Sequence, residues 1–421
     1  MHGSATTGRV RFARTGRVSS LIALLILAAL AAVWLRFAHR FHRISALPDL
    51  RALADRMEDG RDWPKLSVVV ACRNEAPHVR AALSSLLAQD YPALEIVAVD
   101  DRSDDGTGAI LGELAAVHPG VRVARVDVLP PGWLGKTNAL HQGAAAATGQ
   151  WLLFTDADVL FAPGALRRAI AWVERERLGH AVAVPHFIAP GFGERAFVAL
   201  FGLFLLTTLR VDQLRRPGSR AHIGVGAFNL VRRDDYRAIG GHEHLRLEVA
   251  DDIKLGLVLR RSGVRQGCAD SGGLVSVRWQ PGFLASLRGL VKNFFAGLEY
   301  RWTETLWTVV GVPLATTFPV AYLLWAAAGG GRTLGVALAA FTAGLSIAVH
   351  GAAARRFASG RGHEGLLLPL VGPCLAAVAL VSALTTTLRG AVIWRGTRYP
   401  LADLKAAVVR DADWPLDRAP G

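Results

Sequence analysis

Four apolar stretches, nearly free of charge, constrain this chain more than any other feature. They cover residues 20–38 and about 306–328, 333–351 and 365–388. Each approaches the roughly 20 residues needed to cross the hydrocarbon of a bilayer. A single run of this kind can be a buried core helix, but three in succession with short Gly/Arg links read as membrane spans. The first run is long for the apolar part of a signal peptide and no small-x-small site follows, so it reads as an uncleaved anchor. The stretch 196–209, AFVALFGLFLLTTL, is too short to cross and reads as an interfacial or core helix. Pro369 and Pro373 make 365–388 the least regular candidate.

These runs account for most of the apolar excess in a 421-residue chain that is 52% hydrophobic. Residues 64–300 have the composition of an ordinary globular domain and are numerous enough for a core of their own. The expected organisation is an N-terminal anchor (1–44), a globular domain (64–300), C-terminal transmembrane helices (306–388) and a basic tail (389–421). The net charge is +14, and Arg9, Arg11, Arg14, Arg17, Arg36, Arg40 and Arg43 flank the first run. That placement suits anionic lipid head groups. There is no helix with clustered Lys and Arg and no interleaving of basic with aromatic residues, so nucleic acid is not expected as a partner. Cys72, Cys268 and Cys374 have neither metal-ligand spacing nor the pattern of a disulfide framework, which fits a reducing compartment.

Orientation is contested within the sequence. Arg355, Arg356 and Arg361 outweigh Arg332 between the last spans, which places the globular domain in the cytoplasm. Four crossings would then put the tail outside, although it carries Arg389, Arg395, Arg398 and Lys405. The two charge signals disagree.

The globular domain alternates strands with helices. LSVVVAC (66–72) is a β-branched run of the kind buried on both faces. LEIVAVD (94–100), VRVARV (121–126) and WLLF (151–154) repeat the theme, with helical segments between them. This alternation predicts a parallel sheet with helices on both faces. Ligands of such sheets sit at the carboxyl ends of the strands. Arg73-Asn74-Glu75, Asp100-Asp101 and Asp156-Ala157-Asp158 all fall at those ends. Carboxylates are costly to desolvate, and two of them one residue apart suit a divalent cation, Mg²⁺ or Mn²⁺, that carries a diphosphate.

With these residues assembled, the chain resembles the family-2 glycosyltransferases of the GT-A fold, a Rossmann-like α/β architecture. The matching segments are VVVACRNEAPHVRAALSSLLAQDYPALEIVAVDDRSDDGT (68–107), GKTNALHQG (135–143), FTDADV (154–159) and ADDIKLG (250–256). The resemblance implies that Glu75 and Asp101, supported by Asp100, hold the uracil and ribose of a nucleotide sugar, a UDP-sugar. It implies that Lys136 contacts the nucleotide or its phosphates, and that Asp158 and Asp156 bind the metal. Asp252, with Asp251 as the alternative, is implied as general base. PPGWLGKTNAL (130–140) and VRWQPGFLASLRGLVKNFFAGLEY (277–300) are similar to members that glycosylate polyisoprenoid-type lipids, such as the diaponeurosporenoate and hopene-associated enzymes. A nucleotide sugar and a lipid acceptor are therefore the expected substrates. Processive polysaccharide synthases and polyprenyl-phosphate glycosyltransferases are the alternative enzymes. Against the processive reading, Leu298 stands where the Gln-x-x-Arg-Trp signature needs glutamine ahead of Arg301-Trp302. A non-catalytic transport or scaffold role is disfavoured because the apolar runs hold almost no ionisable residues.

Overall fold

The computed structural model describes residues 5–55, 62–216, 218–330 and 333–410. A long helix α1 (Ala5–Ser45) leads into the domain. Then follow β1 (Leu66–Cys72), α2 (Val79–Leu87), β2 (Leu94–Asp101), α3 (Thr107–Val117), β3 (Val121–Val126), α4 (Gly135–Ala146) and β4 (Trp151–Asp156). The second half contains β5 (Val159–Phe161), α5 (Ala165–Arg175), β6 (His180–Val184), β7 (His186–Phe187), α6 (Phe192–Thr208), β8 (Asn229–Arg232), α7 (Arg233–Ala238), α8 (Asp251–Arg261), β9 (Gln266–Asp270) and β10 (Val275–Val277). Beyond it lie α9 (Phe283–Val291), α10 (Phe294–Gly297), α11 (Trp302–Thr316), α12 (Phe318–Trp325), α13 (Thr333–Phe357), α14 (Leu368–Arg389), the hairpin β11 (Ala391–Trp394) and β12 (Thr397–Pro400), and α15 (Leu401–Ala406).

Seven strands form the main sheet in the order β3-β2-β1-β4-β8-β6-β9, and only β8 runs antiparallel to its neighbours. The expected α/β class with a mostly parallel sheet is what forms. The all-apolar β1 lies between two parallel partners, where both of its faces are covered. Its register aligns Cys72 with Asp100 and Ala71 with Asp156. The acidic residues are thereby brought to one edge of the sheet. β2 and β4 run slightly further than the apolar pattern suggests, so Asp101 and Asp156 close their strands instead of following them.

The apolar helices pack against one side of this domain. Leu21–Ser45, Thr333–Phe357 and His363–Arg389 are each long and apolar enough to cross a membrane. The stretch near 306–328 is not one straight helix. Trp302–Thr316 and Phe318–Gly330 meet at a 45° bend, with Pro313 inside the first helix and Pro319 at the start of the second. A missing N–H and the proline ring account for the break. The length expected for 196–209 is also corrected, because the helical segment spans Phe192–Gln213, 22 residues. A single crossing there is still incompatible with the sheet. The strands before and after α6 belong to the same domain, and β8 pairs with β4 and β6.

Contacts at the helix ends tie much of this layer to the domain. Arg356 at the end of α13 pairs with Asp270 of β9 (2.7 Å), and Glu364 ahead of α14 pairs with Arg195 of α6 (2.8 Å). At the other end of α14, Ala383 packs with Phe295, Tyr300, Val392 and Tyr399. His350, the ionisable group nearest a span end, is buried with its Nε2 2.7 Å from the Ala196 carbonyl oxygen, a structural contact. Outward on α11, Leu306, Val310 and Leu314 form an exposed apolar stripe beside Trp307, which is 75% exposed. The side chains of Arg9, Arg11, Arg14 and Arg17, together with Arg332 and residues 411–421 of the tail, lie outside the described residues.

Candidate functional site

β4 ends at Asp156, the buried Ala157 turns the chain, and Asp158 precedes β5. The D-x-D pair therefore brackets a turn instead of continuing a strand. Opposite it, α8 begins with Asp251 and Asp252, and α4 brings Lys136 between the two acidic segments. The Lys136 Nζ lies 2.8 Å from Asp156 Oδ1 and 3.8 Å from Asp251 Oδ1. Burial opposes the charge on this lysine, but Asp156, Asp251 and Asp252 outweigh it and raise its pKa. Asp251 is buried, which raises its pKa even though Lys136 acts in the other direction. Asp252 is half-buried. Its Oδ1 accepts the N–H of Ile253 (2.8 Å), and Oδ2 faces the slit beside Gly226.

The slit is narrow because backbones meet there. A Cβ on Gly226 would lie 2.8 Å from Asp156 Oδ2 and 3.5 Å from Asp252 Oδ2. A Cβ on Gly224 would lie 1.6 Å from the carbonyl oxygen of Asp252. The amide of Asn229 donates to the same carbonyl (3.4 Å). These residues position α8, and the reading of the sequence missed them; the alternation Gly224-Val225-Gly226 was the available signal. Gly224→Ala should lower stability by about 3 kcal/mol or more, since the new carbon collides with backbone. Gly112→Ala, at a helical glycine with open space around it, should be neutral or slightly stabilising. Thermal unfolding of the two variants in detergent checks the contrast.

The third acidic group joins the same edge. Asp100 and Asp101 are buried. Asp100 Oδ1 accepts the Ser103 N–H (3.2 Å). Asp101 is paired with Arg102 (2.7 Å), lies 3.9 Å from Arg73, and abuts Gly135 at the start of α4. Glu75 is close enough to Asp158 to affect its charge: burial, then Asp156 and Glu75, push the Asp158 carboxyl up to about 6. All eight residues expected from the sequence thus lie on one edge of the sheet. Asp156, Asp251, Asp252 and Lys136 form its centre, and Asp158, Glu75, Asp100 and Asp101 flank it. Arg395, which pairs with Glu75 (2.6 Å), was not anticipated because it lies 320 residues further along the chain.

Among the described residues no group of three or more His, Cys, Asp or Glu is arranged to hold a metal. The donor set nevertheless fits Mg²⁺ or Mn²⁺. Two carboxylates repel one another across a turn, and these hard cations bind through one or two carboxylates plus substrate phosphates. Beside this slit is a cleft of about 540 Å³, lined by Arg102, Trp133, Leu247, Thr397, Tyr399 and Asp403 among others. It is the roomier of the two, but Asp156, Asp251, Asp252 and Lys136 line the slit.

The family model for glycosyl transferase family 2 matches residues 67–240, which contain every strand from β1 to β8 and the D-x-D turn. Over those residues the chain is similar to a family 2 glycosyltransferase domain. Two curated proteins similar to this chain are 4,4'-diaponeurosporenoate glycosyltransferases of Staphylococcus aureus, strains MRSA252 and USA300. Each is 26% identical, over 239 and 235 residues, across 55% of this chain. The chain spans 61% of the length of these curated relatives. A solved structure with a similar fold is mannosyltransferase PcManGT from Pyrobaculum calidifontis in complex with GDP-Man and Mn²⁺. It matches with a TM-score of 0.54 at 20% identity, over 87% of this chain and 99% of that one. That likeness is one of fold, GT-A-like, and it reaches beyond residues 67–240.

Proposed function

We propose that this protein transfers a sugar from a nucleoside-diphosphate sugar, with UDP as the expected nucleotide, to a lipid acceptor at a membrane surface. The carrying observation is the cluster of Asp156, Asp251 and Asp252 around Lys136 at the carboxyl edge of the sheet, with Asp158 in the turn beside Asp156. The apolar helices packed against the same domain support a lipid acceptor, because such an acceptor stays in the bilayer and the reacting edge must come to it. The relatives named for diaponeurosporenoate support the same acceptor class.

Asp156 and Asp158 would hold the divalent cation, which when bound neutralises charge developing on the departing diphosphate. Lys136 adds a fixed ammonium on the same side. Asp252 takes the proton of the acceptor hydroxyl as its oxygen attacks the anomeric carbon. The bond from that carbon to the diphosphate oxygen breaks as the new glycosidic bond forms, and attack from the opposite face inverts the carbon. Asp251, buried against Lys136, orients the ammonium. Glu75, Asp100 and Asp101 bind the nucleoside. Leu298 in place of the glutamine ahead of Arg301-Trp302 supports a lipid acceptor over a processive polymer. Membrane-embedded protein incubated with lipid extract and labelled nucleotide sugars tests the proposal. Labelled lipid is expected; labelled polymer would overturn it.

The domain organisation and membrane orientation belong to the same proposal. Residues 64–300 form the catalytic domain on the cytoplasmic side, 1–44 the anchor and 306–388 the C-terminal membrane region. Both ends of α14 touch elements of the catalytic domain, so α14 lies along the membrane surface and residues 302–390 cross an even number of times. This removes the conflict between the charge signals, since Arg355, Arg356, Arg389 and Arg395 then share one side. A C-terminal reporter should be found on the same side as the catalytic domain. Its appearance on the opposite side would show that α14 crosses.

A further inference from the structure

The hairpin β11–β12 is joined by two residues, Arg395 and Gly396, with φ of 45° and 81°. Positive φ at both positions is the type I′ arrangement, which favours Asn, Asp or Gly at the first because a longer side chain crowds the backbone there. An arginine at that position is a poor choice for the turn itself. Strained residues of this kind are kept where the surrounding structure has a use for them.

The hairpin does not need this side chain to stay in place. Val392, Tyr399, Leu401 and Leu404 pack with Leu134, Phe295 and Tyr300. Further along, Lys254 donates to the Val409 carbonyl and Glu248 accepts the Val409 N–H, both at 2.5 Å. Lys254 lies on α8, two residues after Asp252. The segment is therefore anchored on both sides of the acidic cluster, and Arg395 is delivered by a rigid element.

The guanidinium Nη2 of Arg395 lies 2.6 Å from Glu75 Oε1, with the arginine side chain 48% exposed and the glutamate 17%. The guanidinium is thus half-exposed while the carboxylate it holds is more deeply buried. Glu75 lies beside Asp158, next to which Asp156, Asp251 and Asp252 face Lys136, a strongly negative surrounding for an anionic donor. A guanidinium has five donors in a planar fork and can hold a carboxylate and a phosphate or ribose oxygen together.

We propose that Arg395 is a donor-binding residue, bridging Glu75 and the nucleoside diphosphate, so that the C-terminal hairpin forms one wall of the donor site. This rests on the reading of the acidic cluster as a nucleotide-sugar site.

The test is titration of full-length protein in lipid nanodiscs with UDP and with GDP in the presence of Mn²⁺, using unaltered protein, Arg395→Asn and Arg395→Lys. Asparagine is the better type I′ residue, so Arg395→Asn keeps or raises the unfolding temperature. Its affinity for the preferred nucleotide should fall about tenfold, as expected for one lost charge-assisted bond. Arg395→Lys should fall between the two. Unchanged affinity in Arg395→Asn would reduce Arg395 to an ion-pair partner of Glu75, and tighter binding would make it a competitor of the donor. Either result overturns the inference while leaving the donor site standing. Failure of the unaltered protein to bind any nucleotide diphosphate would instead overturn the donor site and the inference together.

Discussion

Asp158→Ala should reduce sugar transfer by about 10³-fold or more, the scale of losing a principal electrostatic stabiliser of a leaving group. Asp158 sits in the turn between β4 and β5, beside Asp156 and within the influence of Glu75. Truncating a half-buried turn side chain creates no large cavity, so the fold should survive. The second readout separates metal binding from folding. Mn²⁺ with UDP should raise the unfolding temperature of the unaltered protein, because ligands that bind only the native state stabilise it. The same additions should leave Asp158→Ala nearly unmoved. Near-normal turnover in this variant would remove the metal role from the D-x-D turn.

Asp252→Asn should lower turnover by about 10³-fold, within the range for loss of a general base, while UDP affinity stays within about twofold. The amide is nearly isosteric and keeps an oxygen to accept the Ile253 N–H, so α8 retains its start. Asp251→Asn should behave differently. Asp251 is buried beside Lys136, and its loss leaves a buried ammonium with one carboxylate fewer, which costs stability and donor affinity together. Turnover that survives Asp252→Asn but collapses in Asp251→Asn, with unfolding temperature unchanged, would move the base by one residue. The geometry favours Asp252, whose second oxygen faces the slit while Asp251 is enclosed.

How far each conclusion was legible depended on the range of the interactions involved. The β-branched run Leu66–Cys72 announced a central parallel strand because burial on both faces leaves no polar alternation. The ends of β2 and β4 were misjudged by one or two residues because Asp101 and Asp156 are polar yet still sheet-bound, and an apolar pattern cannot register that. The bend at Thr317 was signalled by Pro313 and Pro319, although the apolar run looked continuous.

Residue chemistry along the chain was enough to indicate the strand–helix alternation, the apolar membrane layer and the acidic ends of β2 and β4, because all three depend on neighbours within about 20 residues. The placement of Asp251-Asp252 opposite the D-x-D turn, the backbone contact at Gly224, the side of the sheet to which the tail returns and the pairing of Arg395 with Glu75 came only from the folded chain. Each joins segments tens to hundreds of residues apart. Such contacts are selected by the packing of whole elements, and no local pattern of hydropathy or charge encodes which distant partner a side chain will meet.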